Sequence, residues 1–186
     1  AMVASLVSAV ISLALAFLGS NTTAPWRPLK KIIRAFASLQ RNIPSMIWTF
    51  LLIMSFGIGT VVGTLALLIT TCGFLIRSFI ETIDEVGGES LEALQAVGAG
   101  RLSIITQVIL PASLPGFLSW LLYSLEVNIR SSTLVGAVGG GGIGLIMMGY
   151  IKQFRYHSAM GVILLVAVIV ILVDLLTNFL RKKVLA

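Results

Sequence analysis

The chain has 186 residues, 58% hydrophobic and only 11% charged, with a mean hydropathy of +1.05. Soluble domains carry about a quarter charged residues and hide an apolar minority in one core. Here there is too little polar surface to cover a compact fold in water, which excludes a water-soluble enzyme. Thirteen Lys and Arg against seven Asp and Glu give a formal charge of +6. Beside so much apolar sequence, that excess points to loops next to anionic lipid and not to a nucleic-acid surface. Cys72 is the one cysteine; no intrachain disulfide is possible, and it reads as a small buried hydrophobe.

Residues 1–18 carry no charge and approach the roughly 20 needed to cross the hydrocarbon, predicting a first span. The row opens on Ala1 with no basic region and no cleavage site ahead of a polar domain, the pattern of an internal fragment. Ser20 to Asn42 then brings Arg27, Lys30, Lys31, Arg34 and Arg41, with Trp26 among them and Ile32, Ile33, Phe36 and Leu39 at helical spacing. This predicts a short amphipathic helix on the membrane surface. From Asn42 to Ile76 no charge occurs. As one straight helix that run would stretch to about 52 Å against roughly 30 Å of hydrocarbon. The Gly57-Ile58-Gly59 step permits a reversal, so two helices are expected, about 43–56 and about 60–82, with Arg77 snorkelling from the second.

Glu81, Asp84, Glu85, Glu89 and Glu92, with the pair Gly87-Gly88, cannot sit in lipid without a large desolvation cost, and predict a water-facing loop over about 84–110. A fourth span is expected over about 113–131 and a fifth over about 158–180, closed by Arg181, Lys182 and Lys183. The fold class is therefore all-α and polytopic, one transmembrane domain with about five spans. Five spans put the chain ends on opposite sides. With the carboxy terminus inside, the cytoplasmic segments hold Arg27, Lys30, Lys31, Arg34, Arg41, Arg101, Arg181, Lys182 and Lys183; the outer ones hold Arg130, Lys152 and Arg155.

Within the acidic stretch stand Glu92-Ala93-Leu94, three residues, Gly98, nine residues, and Val108-Ile109-Leu110-Pro111. This resembles the EAA loop of ABC-importer permeases: Glu-Ala-Ala, three residues, Gly, nine residues, Ile, any residue, Leu-Pro. Leu94 and Val108 depart from that pattern, both by apolar replacement. The resemblance implies that Glu92, Ala93, Leu94, Gly98, Leu110 and Pro111 form a coupling segment that docks on a separate ATPase subunit. Small residues such as Ala93 and Ala96 permit close approach to a partner, Gly98 permits a sharp turn, and Pro111 can open the next helix, where a missing donor is harmless. An ordinary amphipathic connector is the plainer reading of the same residues.

Glu126-Val127-Asn128-Ile129-Arg130-Ser131-Ser132-Thr133-Leu134-Val135-Gly136 and then Gly139 to Gly144 look like the matching stretch of phosphonate-importer permeases. Pro25-Trp26, Gly57-Ile58-Gly59, Leu65-Ala66-Leu67 and Thr71-Cys72-Gly73 are similar as well. Such permeases ordinarily have a longer amino-terminal region. The resemblance implies a MetI-like permease fold in the inner membrane, working as a homodimer with two ATPase subunits inside and a periplasmic or extracellular solute-binding protein outside. It implies transport of a phosphonate or related phosphorus oxyanion, with no cofactor in this chain and no nucleic acid. Candidate path residues are Glu126, Asn128, Arg130, Ser131, Thr133, Gly139, Gly141 and Gly142. Arg130 could attract the anion, or Glu126 and Arg130 could simply pair at their i, i+4 spacing.

The glycine run lacks the strand before it and the Gly-Lys-Ser/Thr after it that a phosphate cradle needs, and reads as a closely packed bend. His157 has no Asp, Glu or Cys at ligand spacing, so neither metal nor acid–base chemistry is indicated, and no catalytic group is expected. Asp174 is expected to pair across helices or with a nearby base. The alternatives are a permease for another small solute such as methionine, or a membrane scaffold or enzyme whose acidic loop binds a different partner.

Overall fold

The computed structural model describes residues 1–24, 26–96 and 100–185, and among them only helices and their connections occur. These are α1 (Met2–Gly19), α2 (Arg27–Asn42), α3 (Ser45–Phe56), α4 (Thr60–Ala96), α5 (Arg101–Ile104), α6 (Leu110–Val135), α7 (Ile143–Lys152) and α8 (Tyr156–Leu185). Wider π-turns at Ile105–Ile109 and Gly136–Gly140 flank α6. Four stretches are long and apolar enough to cross a membrane: Met2–Gly19, Thr60–Gly87, Ile105–Gly140 and Tyr156–Lys183.

The predicted span over 43–56 is helical but short. Its twelve residues cover only about 18 Å. Pro44 precedes it and Gly57, at φ 76°, ends it. The helix ahead of it corrects a second expectation, because α2 does not lie across the bundle. Ile33 of α2 stands near Ile80 of α4 beside Gly19, while Ala37, Gln40 and Arg41 stand over Gly73. As α2 advances, α4 recedes, so the two run antiparallel, and α3 continues the same path toward Thr60. The break at Ile43-Pro44 thus divides one broken crossing into α2 and α3. The amphipathic pattern was real, but its buried residues Ile33, Ala37 and Gln40 face a neighbouring helix.

The central element is α4, and α1 runs parallel to it. The buried face of α1 is Ala4, Ser5, Ser8, Ser12, Ala16 and Gly19, a stripe of small side chains. In lipid no hydrophobic force separates apolar residues from their solvent, so small residues that let helices approach closely favour association. A Cβ on Gly19 would lie 2.7 Å from Ile80 Cδ1. The serine hydroxyls are satisfied: Ser8 donates to the Ala4 carbonyl and Ser12 to the Cys72 carbonyl at 3.3 Å. Against this stripe α4 sets Leu75, Ile76, Phe79, Ile80 and Ile83, all essentially buried. On its other side Phe79 meets Phe117 of α6 at 4.8 Å between ring centres, and Trp120 Nε1 donates to Thr82 Oγ1 at 3.2 Å. The outermost helix is α8, whose Leu164, Leu172, Leu175, Leu176 and Phe179 are exposed, as a lipid-facing surface requires.

The acidic stretch is not a loop up to Ala96. It prolongs α4 without a break, through Gly87-Gly88 to Ala96. Asp84 on this helix has a structural task. Its Oδ1 accepts from Ser20 Oγ at 2.5 Å and from the Asn21 backbone N–H at 2.7 Å; its Oδ2 accepts from Asn21 Nδ2 at 2.6 Å and Arg34 Nη2 at 2.7 Å. Arg34 Nε also donates to the Gly19 carbonyl at 2.9 Å, and Lys30 Nζ to Asn21 Oδ1 at 2.7 Å. One carboxylate therefore clamps the end of α1, the following turn and α2 onto α4. Replacing Asp84 with Ala leaves several charge-assisted donors unpaired and is expected to destabilise the protein by about 2–3 kcal/mol. A double-mutant cycle with Arg34→Gln, read by thermal unfolding in detergent, should show strong non-additivity; additive losses would contradict the clamp.

Candidate coupling segment and membrane-embedded polar site

The residues proposed for coupling fall on two helical segments, the end of α4 and the start of α6. Glu92, Ala93 and Leu94 occupy the last turns of α4. Gly98 lies outside the described residues. On the returning side α5 and the π-turn lead without interruption into α6, which starts at Leu110 with Pro111 in its first turn. The Leu110 N–H reaches back to the Ile105 carbonyl, the wider spacing of a π-turn, and such a bulge accommodates a proline that donates nothing. Leu110 packs against the main apolar cluster and Pro111 is exposed. The helix is thus continuous earlier than the expected start near 113, with Pro111 inside it. Pro115 is also inside α6.

At the opposite end of α6 the glycine run does the close packing its composition predicted. Gly139, Gly141 and Gly142 have φ of 113°, 77° and 73°, a region that glycine alone enters without penalty. They bend the chain from α6 into α7. The bend docks on the other glycine turn, since the Gly59 N–H donates to the Gly139 carbonyl at 3.1 Å. A Cβ at Gly63 would overlap the Gly140 carbonyl oxygen, and one at Gly144 would overlap the Thr133 carbonyl. Thr133 and Gly140 to Gly142 line a cavity of about 290 Å³ with Ser132 and Thr60.

Between the two ends α6 presents different faces. Asn128 is buried and joins three helices: its Nδ2 donates to Ser5 Oγ of α1 at 2.7 Å and to Thr71 Oγ1 of α4 at 2.8 Å. Thr71 Oγ1 stands 3.0 Å from Asn128 Oδ1, to which it can donate in return. Asn128 is therefore a bolt between helices, and Ser131 one turn further lines a second cavity beside it. Glu126 and Arg130 lie about 160° round the helix from Asn128 at 100° per residue. They form the i, i+4 pair, 2.8 Å apart, one of the two readings their spacing allowed. The structure thus separates the proposed path residues into a bolt, an ion pair, a cavity wall and a bend. Sequence reasoning missed the Ser5 partner and the whole serine stripe of α1, although the recurrence of small residues every four positions was there to be read. It also missed Arg41, which lines the cavity beside Asn128. Asp174 makes no ion pair, and no group of His, Cys, Asp and Glu could hold a metal, among the described residues.

A helical bundle with four stretches long and apolar enough to cross a membrane is the architecture of a polytopic membrane protein. Residues 8–185 match the family of binding-protein-dependent transport system inner membrane components, and the chain belongs to that family. It is 32% identical over 176 residues to the phosphite transport system permease protein PtxC of Stutzerimonas stutzeri, covering 95% of this chain and 64% of that protein. It is 28% identical over 182 residues to the phosphate-import permease protein PhnE of Mycolicibacterium smegmatis, covering 98% of this chain and 34% of that one. The chain therefore spans less than two thirds of the length of these relatives. Among solved structures it resembles the methionine ABC transporter MetNI in an inward-facing conformation, with a TM-score of 0.77 and 26% identity over 98% of this chain and 92% of that one.

Replacing Asn128 with Leu leaves the Thr71 hydroxyl without a partner and removes the donor to Ser5 Oγ, which keeps only its bond to the Ala1 carbonyl, and is expected to cost about 1–3 kcal/mol. Adding Ser5→Ala and Thr71→Val should recover part of that loss. Thermal unfolding of the single and triple variants in detergent checks this, and a triple variant no better than the single would contradict the bolt.

Proposed function

We propose that this chain is the membrane-spanning subunit of an ATP-driven ABC importer, that two copies form the pathway, and that the solute is a phosphonate or related phosphorus oxyanion delivered by a binding protein outside. The observation that carries the reading is the spaced pattern from Glu92 to Pro111, set where α4 continues past its apolar span and the chain turns back into α6. An extended helix is stiff enough to transmit displacement, whereas a disordered loop would absorb it. In this reading a separate ATPase subunit grips Glu92, Ala93, Leu94 and the Gly98 turn, and hydrolysis takes place there. Motion then passes into α4 and, through Leu110 and Pro111, into α6.

The solute class is supported by the phosphonate-permease pattern over 126–144 and by the phosphite and phosphate permeases among the relatives. The orientation follows from the basic residues. The coupling segment, the Arg34–Asp84 clamp and the Arg181-Lys182-Lys183 end are cytoplasmic; the glycine bend and the Gly57–Gly59 turn are outside.

Gly98→Trp tests the coupling role. Co-expressed with its ATPase, the variant should lose most co-purification and cut ATP-driven uptake in proteoliposomes by at least tenfold, with the folded yield of the permease retained. Retained assembly with full uptake would remove the coupling assignment.

A further inference from the structure

Every cation at membrane depth needs an account of its counter-charge, and two, Arg41 and Arg181, have none among the described residues. Arg181 is half-buried against Ser119, Trp120 and Tyr123, whereas Arg41 lines a cavity rich in hydroxyls. Arg34 is paired with Asp84, Arg77 with Glu81 and Arg130 with Glu126. Arg41 makes no ion pair or hydrogen bond among the described residues. It is not at the membrane edge. Its backbone nitrogen would lie 2.9 Å from a Cβ on Gly73, and Gly73 is thirteen residues past Thr60 and eleven before Asp84, well inside the membrane-crossing part of α4. An ionisable residue at that depth faces a wet cavity or a charged visitor.

The cavity is there. Arg41 of α2, Ser45 at the start of α3, Thr70 of α4, and Asn128 and Ser131 of α6 line a space of about 220 Å³ bordered by the rings of Phe74 and Tyr123. None of its lining residues is acidic. At about 30 Å³ per water it has room for some seven waters, or for a tetrahedral anion with part of its hydration. The hydroxyls divide into two sets. Thr70 donates to the Ala66 carbonyl and the Asn128 amide is committed to Ser5 and Thr71, so these shape the wall. The Ser45 and Ser131 hydroxyls make no hydrogen bond among the described residues and are free to donate.

We propose that Arg41, with Ser45 and Ser131, forms a transient station for a tetrahedral phosphorus oxyanion inside the membrane. A guanidinium offers a planar fork that matches two oxygens of such an anion, and two hydroxyls can meet a third. One cation without a second keeps the affinity low enough for release, as conduction through a pathway requires. This assignment rests on the oxyanion-importer reading and moves the anion-attracting role from Arg130, whose charge Glu126 neutralises, to Arg41.

The test uses the permease with its ATPase in proteoliposomes under saturating binding protein. Uptake of phosphite, phosphate, methylphosphonate and methionine is measured for the parent, Arg41→Gln, Arg41→Lys and the double variant Ser45→Ala/Ser131→Ala. The expected result is at least a tenfold loss of oxyanion uptake for Arg41→Gln with parental co-purification of the ATPase. Arg41→Lys should retain an intermediate rate, and the double serine variant should fall at least threefold. If Arg41→Gln does not assemble, the other two variants decide, and parental uptake in both overturns the station. Oxyanion uptake by Arg41→Gln within twofold of the parent overturns the station and leaves the importer reading standing. A parent complex that carries methionine and none of the three anions overturns the oxyanion reading itself.

Discussion

No water is available inside a bilayer to satisfy a polar group or to drive apolar faces together, so this bundle depends on how closely other segments can approach α4. Three places on that helix allow it. At Gly63 the Gly140 backbone lies against it, at Gly73 the α2 backbone does, and at Gly87 the Thr22 side chain does. The serine stripe of α1 takes a further side with hydroxyls that bond back to carbonyls. Van der Waals contact at close range and internal hydrogen bonding replace the hydrophobic effect as the cohesive terms. A side chain at Gly63 or Gly73 would push against backbone and so displace a whole segment, whereas one at Gly87 would meet the Thr22 side chain.

The same helix joins the polar cavity to the segment proposed for coupling. Its middle contributes Thr70 and Thr71 to the polar region, and its prolongation carries Glu92. Between them Asp84 fixes α1 and α2 to it. In the importer reading, displacement at Glu92 reaches the cavity as movement of one stiff body with α1 and α2 attached. The glycine bends at the other end, Gly57–Gly59 and Gly139–Gly142, are joined by the Gly59 to Gly139 backbone hydrogen bond and by close packing of Gly139 on Ile58 and Gly141 on Thr60.

Much of this was legible in the residues. The spans at 1–18, 60–82 and 158–180 follow from uncharged runs of hydrocarbon length, and each lies within a helix of the structure. The reversal at Gly57 was legible because only glycine tolerates that φ. The pairing of Glu126 with Arg130 was legible as one of two readings, since both lie on one helix at i, i+4. What failed were statements about which object a face meets. The amphipathic pattern of 27–42 reads the same for a headgroup layer and for a neighbouring helix, and only the Gly73 contact shows the latter. The acidic stretch was assigned to a loop because charge leaves lipid, but charge is equally content on a helix that has already left it.

By itself, then, the sequence determined the solvent, the approximate crossings, the turns and the family pattern from Glu92 to Pro111, all set by composition or by spacing along one strand of chain. The tertiary structure decided which charges are spent on one another and which, Arg41 among them, are left over. Arg34, separated by fifty positions from Asp84, and Asn128, 123 positions from Ser5, find partners that no local periodicity announces. Arg41 differs from Arg34, Arg77 and Arg130 only in what folding places beside it. Electrostatics acts through space, and the distances that govern it exist only once the helices have packed.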